Sequence, residues 1–200
     1  MNQQLKIILV ANYWLMCIKM VKKKIVEELE LPEGIKATQE NNYVMIEGPK
    51  GVVKRKFDSP MVKLELEGRK IKLMADSPSK RVKAVVFAYK SHLKNAMNGC
   101  QKPFVYKLKI CSGHFPMNVS VSGQKLIIKN FLGEKVPRQV KISEGASVKV
   151  DGSIINVEGA DKELTGQVAA DIEQATRRPG FDKRIFQDGI YIIEKAGKKI

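Results

Sequence analysis

Ten Lys or Arg and no Asp or Glu fall within residues 77–133 of this 200-residue chain. A globular surface normally mixes signs, so cations gathered without carboxylates suit one task, neutralising a polyanion. The remaining charge is zoned too. Residues 1–76 carry 14 basic and 10 acidic side chains, residues 134–173 carry 5 and 8, and residues 174–200 carry 7 and 3, for a net charge of +15. A solvated surface needs no such zoning, whereas phosphate binding, driven by release of condensed counterions, benefits from it. Nucleic acid is the expected partner.

Side chains for other chemistry are sparse. His92, His114, Cys100 and Cys111 are the His and Cys residues after Met20, and none shows the C-x2-4-C or H-x3-5-H spacing of a zinc site. Cys111-Ser112-Gly113-His114 brings a thiol close to an imidazole, but no third group that would orient the pair is evident, so packing is preferred to nucleophilic catalysis. P-loop, G-x-G-x-x-G and H-E-x-x-H motifs are absent. The chain is therefore expected to be no enzyme and to need no cofactor. Three Cys at irregular spacing argue against a disulfide framework and for a reducing, cytoplasmic setting. Gly48-Pro49-Lys50-Gly51 has the G-x-x-G form with which a KH module grips a nucleic-acid backbone. In a KH fold that loop joins helices; here strand-like residues 44–47 and 52–57 flank it, which predicts a hairpin turn whose Lys50 can still reach phosphate.

The elements that would position these cations come in two copies. Residues 44–55 resemble residues 126–138, with Gly51 over Gly133, and residues 62–73 resemble residues 146–157. A repeat of ~80 residues is too long for a solenoid and predicts a duplicated small domain. Val62, Leu64 and Leu66, then Ile71 and Leu73, alternate with charged residues, as do Val148 and Val150, then Ile155 and Val157, the pattern of half-buried antiparallel strands. Gly68 and Gly152 sit where tight hairpin turns are needed. A helix follows in each copy. The first has Ser77-Pro78 as its start, a stripe of Val82, Val85, Val86, Tyr89, Leu93 and Met97, and an end at Asn98-Gly99. The second has Asp161 as cap, a stripe of Leu164, Val168, Ile172 and Ala175, and a stop at Pro179-Gly180, with Arg177 and Arg178 suiting the helix dipole. The expected class is α+β: two tandem duplicated domains, each a small, mainly antiparallel sheet covered by one helix. Residues 20–99 form the first domain, 100–178 the second, and 179–200 a basic C-terminal tail, part of which, residues 189–194, also reads as a strand of the second sheet. Residues 5–18 are apolar but short of the ~20 a spanning helix needs; residues 1–19 are read as an N-terminal extension, not necessarily native, ahead of Met20, and no membrane partner is expected.

The G-P-K-G turn with its basic strand, HLKNAMNG at residues 92–99, YKLKI at 106–110, HFPMNV at 114–119, ELTGQVAADIE at 163–173 and PGFDKRIFQDGIYI at 179–192 together resemble the ribosomal protein L-six family of the large subunit, in its archaeal and eukaryotic form. The last of these motifs is the most specific and points to an archaeal source. The resemblance runs from about Met20 to the C-terminus. It implies two duplicated α+β domains and a structural, non-enzymatic role in translation, binding large-subunit rRNA near the stalk base and the sarcin-ricin region. Neighbouring large-subunit proteins, those of the stalk base included, are implied as further partners. The alternative is a stand-alone RNA-binding or RNA-processing protein using the same surface.

Family members contact rRNA mainly through the second domain and tail, which divides the acid-free stretch in two. Lys102, Lys107, Lys109 and His114, with Arg177, Arg178, Lys183, Arg184, Lys195, Lys198 and Lys199, are the expected RNA-binding set, neutralising phosphates and reading shape rather than bases. Lys50, Lys80, Arg81, Lys83, Lys90 and Lys94 are candidates for secondary contacts. Phe186 and Tyr191 are candidates for stacking on an unpaired base, with core packing the preferred reading.

Overall fold

A computed structural model describes residues 24–77, 79–182 and 184–200. The expectations for residues 1–19, for Pro78 as the opening helical residue and for Lys183 lie outside the described residues.

Fourteen strands and two α-helices are described. β1 (Ile25–Glu30), β2 (Lys36–Glu40), β3 (Tyr43–Gly48), β4 (Gly51–Lys56), β5 (Lys63–Glu67) and β6 (Lys70–Ala75) precede α1 (Lys80–Gln101). The series then repeats as β7 (Phe104–Cys111), β8 (Asn118–Ser122), β9 (Lys125–Lys129), β10 (Arg138–Lys141), β11 (Ala146–Asp151), β12 (Ile154–Gly159) and α2 (Lys162–Ala175), extended by β13 (Gly189–Lys195) and β14 (Lys198–Lys199). Sheet order repeats as well. β1-β6-β5 answers to β7-β12-β11, and β2-β3-β4 to β8-β9-β10. Every described strand pair is antiparallel. The α+β duplication expected from the sequence is the architecture found.

Local chemistry explains the elements. Gly68 and Gly152 open two-residue turns between β5 and β6 and between β11 and β12, each at φ +57°, where any Cβ would be strained. Asp161 caps α2, its carboxylate accepting the Glu163 N–H at 2.9 Å. α1 starts two residues later than expected: the Ser79 hydroxyl, rather than Ser77, accepts the Val82 N–H at 3.3 Å. It also ends later, at Gln101, because Gly99 lies inside the helix rather than terminating it.

By packing, the chain divides into two compact units, and the division falls within α1, between Ser91 and His92. One unit holds β1, β5, β6 and residues 80–91 of α1. Leu29, Val62, Ile71, Leu73, Val82 and Val86 are buried in it. Phe57 packs edge-on against Tyr89 at 4.7 Å, and Lys90 meets Glu27 at 2.5 Å.

The other unit holds β2–β4, residues 92–101 of α1 and everything after. Its main core lies beneath α2. Val168, Ala169 and Ile172 meet Leu108, Ile155, Val157 and Ile190, with Leu126, Ile128, Phe131 and Val140 from β9 to β10. β7 is the central strand of a five-stranded sheet, β11-β12-β7-β13-β14. In the same unit the Lys50 N–H donates to the Cys100 carbonyl at 3.0 Å, and a Cβ on Gly48 would lie 2.7 Å from the Cys100 Cβ. Gly48 thus serves close packing against α1. Pro49-Lys50 is the hairpin turn expected between β3 and β4.

Candidate nucleic-acid interface

Alternation along β7 sends Tyr106 and Leu108 inward and Lys107 and Lys109 to the opposite face. The Tyr106 hydroxyl donates to the Lys162 carbonyl at 3.2 Å, which places the inward face under α2. Lys107 stands opposite Asn156 of β12 and Glu194 of β13; Lys109 stands opposite Ile154 and Tyr191. Glu194 lies 2.9 Å from Lys107 and partly neutralises it, so Lys107 has less charge to offer a phosphate. Lys109 is exposed and forms no ion pair among the described residues. Glu194 reaches Lys107 because β13 bulges between Ile192 and Glu194, shifting the register by one.

Beyond the bulge, Ala196 at φ +49° and Gly197 at φ +83° make a two-residue turn into β14. Lys195, Lys198 and Lys199 are exposed on this hairpin, and Lys102, exposed just past α1, lines a cavity with Lys107, Glu194 and Gly197. The tail after residue 188 is therefore a structural hairpin of the second sheet that also presents cations.

The second cluster lies on the loop from α2 to β13. Thr176 caps the helix, and its hydroxyl, donating to the Glu173 carbonyl, accepts the Ile190 N–H at 3.0 Å. Arg138, rather than Arg177 or Arg178, supplies the cation at the helix C-terminus, donating to the Ala175 carbonyl at 2.7 Å. Arg178 stacks on Phe181 at 4.2 Å, Phe181 meets Phe186 edge-on at 4.9 Å, and Phe186 meets the His114 ring at 5.0 Å. Arg178 also approaches Glu134 at 3.8 Å. Arg177 and Arg184 are exposed and form no ion pair among the described residues.

Asp188 ties this loop to the one between β7 and β8. Its carboxylate accepts the N–H groups of Gly113 at 2.6 Å and His114 at 3.0 Å, and its other oxygen meets His114 Nδ1. Burial works to raise the Asp188 pKa, but the bonds from His114 and Gly113 outweigh it and hold the carboxyl below its ordinary value. A carboxyl lowered on folding contributes stability that is full above its unfolded pKa of ~3.9 and is lost as pH falls through the lower folded value. Asp188→Asn is expected to lower the melting temperature at pH 7. It is also expected to flatten the loss of melting temperature on acidification below pH ~4, both read by circular dichroism across a pH series.

Asp188 is the orienting partner of His114 that the sequence did not reveal, yet no hydrogen bond links Cys111 to His114 among the described residues. No group of three metal-ligating side chains occurs among the described residues, and no helix there is long and apolar enough to cross a membrane.

The described members of the expected set lie along β7, β13 and the segments next to them. Lys102, Lys107, Lys195, Lys198 and Lys199 lie at one end. His114, Arg177, Arg178 and Arg184 lie at the other, with Lys109 beside Tyr191 between them. Of the secondary set, Lys50, Lys80, Arg81, Lys83 and Lys94 are exposed, whereas Lys90 is engaged by Glu27. Sequence reasoning missed the carboxylates of Glu194, Glu27 and Glu134, which meet their cations only across strands or between elements. It also missed Phe181, whose place after Pro179-Gly180 in a basic, glycine-bearing loop was the available signal.

Comparison with known proteins gives one answer. The family model described as Ribosomal protein L6 matches twice, at residues 31–102 and 115–189, one match for each copy. The large ribosomal subunit protein uL6 of Methanococcus vannielii is 45% identical over 172 residues, covering 86% of this chain and 94% of its own length. Those of Methanosarcina mazei (46% over 174 residues; 87% and 99% covered) and Nanoarchaeum equitans (44% over 181; 86% and 94%) are similarly close. With both repeats matched and nearly the whole length of three archaeal relatives covered, the chain belongs to the ribosomal protein L6 family.

Proposed function

We propose that this protein is a structural constituent of the large ribosomal subunit that binds large-subunit rRNA near the stalk base and the sarcin-ricin region, beside other large-subunit proteins, in the cytoplasm. The observation that carries the reading is the double family match, one per repeat, in a chain of net charge +15. Residues 100–200 form the RNA-facing half in this reading, and residues 20–99 the more peripheral one. Lys102, Lys109, Arg177, Arg184, Lys195, Lys198 and Lys199 supply the phosphate contacts, since among the described residues no carboxylate engages them. Lys107 contributes less, because Glu194 competes for it.

Sedimentation tests the placement: the protein should travel with large subunits at low salt, and a chain found mainly in ribosome-free fractions would refute it. Charge removal tests the surface. The triple substitution Lys195→Ala, Lys198→Ala, Lys199→Ala should leave the fold intact, because all three side chains are exposed. It should also reduce the slope of log K against log salt by about 0.7–0.9 for each phosphate that is no longer neutralised. Filter binding to large-subunit rRNA from about 50 to 200 mM salt, a range over which such slopes are read, gives that number directly.

A further inference from the structure

Between the end of α2 and β13 lies a cavity of about 370 Å³ lined by Arg177, Arg178, Phe181, Phe186, Gln174 and Tyr191. That volume falls in the ~300–1,000 Å³ range of small-molecule sites. We propose that it accepts a single unpaired nucleobase of RNA, stacked on Phe181. The inference rests on the rRNA-binding reading and adds a base contact to a surface otherwise devoted to phosphates.

Three observations select this occupant. First, aromatic surface lines the cavity and is presented to solvent: Phe181 and Tyr191 each remain 40% exposed and face the same space. Phe181 is held in orientation by Phe186 behind it and by the Arg178 guanidinium at 4.2 Å. A pre-oriented ring loses little entropy when a base stacks on it. Second, the carboxylates that line the cavity are already engaged. Asp188 accepts from Gly113 and His114, and a Glu173 oxygen accepts the Ile192 N–H at 3.3 Å. Of the two cations that line it, Arg178 is spent on Phe181 and Glu134, and Arg177, which no carboxylate engages among the described residues, is left for a phosphate flanking a flipped-out base. Third, the exposed Gln174 side chain on the rim makes no hydrogen bond among the described residues and offers amide donors and an acceptor to a base edge.

The test uses the full chain and a large-subunit rRNA transcript. Phe181→Ala should weaken binding about tenfold at every salt concentration without changing the salt slope, because stacking releases no counterions. Phe181→Trp should restore affinity, and its emission, taken as the difference from the wild-type signal, should be quenched on binding. Arg184→Ala serves as the contrast, lowering the slope. Wild-type affinity in Phe181→Ala, or binding of Phe181→Trp with unquenched emission, would overturn the base pocket while leaving rRNA binding in place. Failure of the wild-type chain to bind the transcript would overturn both. Normal affinity for naked rRNA together with defective assembly into subunits would assign the cavity to a protein neighbour and likewise reject a base.

Discussion

Deleting residues 189–200 should unfold the five-stranded sheet and its core under α2 rather than merely trim an RNA-binding arm. β13 pairs with β7 from Gly189 to Lys195, and its removal turns the central strand of the sheet into an edge, with a row of backbone groups unpaired beside the core. Ile190, fully buried, contributes roughly 1.5–3 kcal/mol by itself. Thr176 and Glu173 lose the N–H groups of Ile190 and Ile192 that they accept. The missing ladder bonds and the missing core together approach the roughly 5–15 kcal/mol that holds a domain folded. The truncated chain should lose its cooperative melting transition for residues after 100, become sensitive to limited proteolysis there, and fail to bind rRNA at any salt concentration. The triple Lys→Ala variant of the same hairpin should keep its melting temperature and lose only salt-dependent affinity. A truncated protein that melts like the parent would show β13 to be dispensable.

Gly99→Ala should destabilise the protein, against the direction that helix propensity gives. In an exposed helix, Ala is favoured over Gly by about 1 kcal/mol. At Gly99 the added Cβ would lie 1.9 Å from the Ala160 carbonyl oxygen and 2.9 Å from Phe104 Cε2, and a backbone carbonyl, unlike the end of a flexible side chain, cannot swing aside. Forced shifts of this kind cost about 1–3 kcal/mol or more. With a clash against backbone at the upper end of that range, the net loss is about 2 kcal/mol, a fall in melting temperature of about 4–8 °C for a chain of this size. The neighbouring Asn98 is exposed, so Asn98→Ala should be neutral or slightly stabilising. The contrast in sign, read by differential scanning calorimetry, separates a packing role for Gly99 from a helix-ending one. Equal effects at the two positions would contradict it.

Periodicity and turn chemistry were legible because they are local. Alternation of Val, Leu and Ile with Lys and Glu placed β5, β6, β11 and β12. Paired glycines placed their turns, and Asp161 placed the start of α2. The repeat at ~80 residues made the duplicated α+β architecture readable from residue order. Glycine was read less well where its purpose is distant. Gly48 and Gly99 look like punctuation in the sequence, yet each permits close approach to another element, at Cys100 and Ala160 respectively. Nothing within a few residues of either encodes the partner that crowds it.

The candidate interface divides along the same line. That basic residues concentrate over residues 77–133 and again after Arg177 follows from residue order, since charge is a property of the residue; the family resemblance singled out those from Lys102 to His114 within the first stretch. Which of them are free to meet a phosphate is a property of pairs. A bulge at Ile193 carries Glu194 to Lys107, a strand-to-helix contact joins Glu27 to Lys90, and Arg138 takes the helix-terminal place expected of Arg177 or Arg178. Asp188 lies 74 positions from His114 and still closes the loop around it. Residue type and short-range order were enough for the strands with clear alternation, the presence of the two helices, the duplication, the sign of the charge and the family. They were not enough for which cations are spent on neighbouring carboxylates, or which aromatic rings are left open at the surface. Those outcomes belong to the folded chain, because they depend on strand register and on contacts between residues far apart in the sequence.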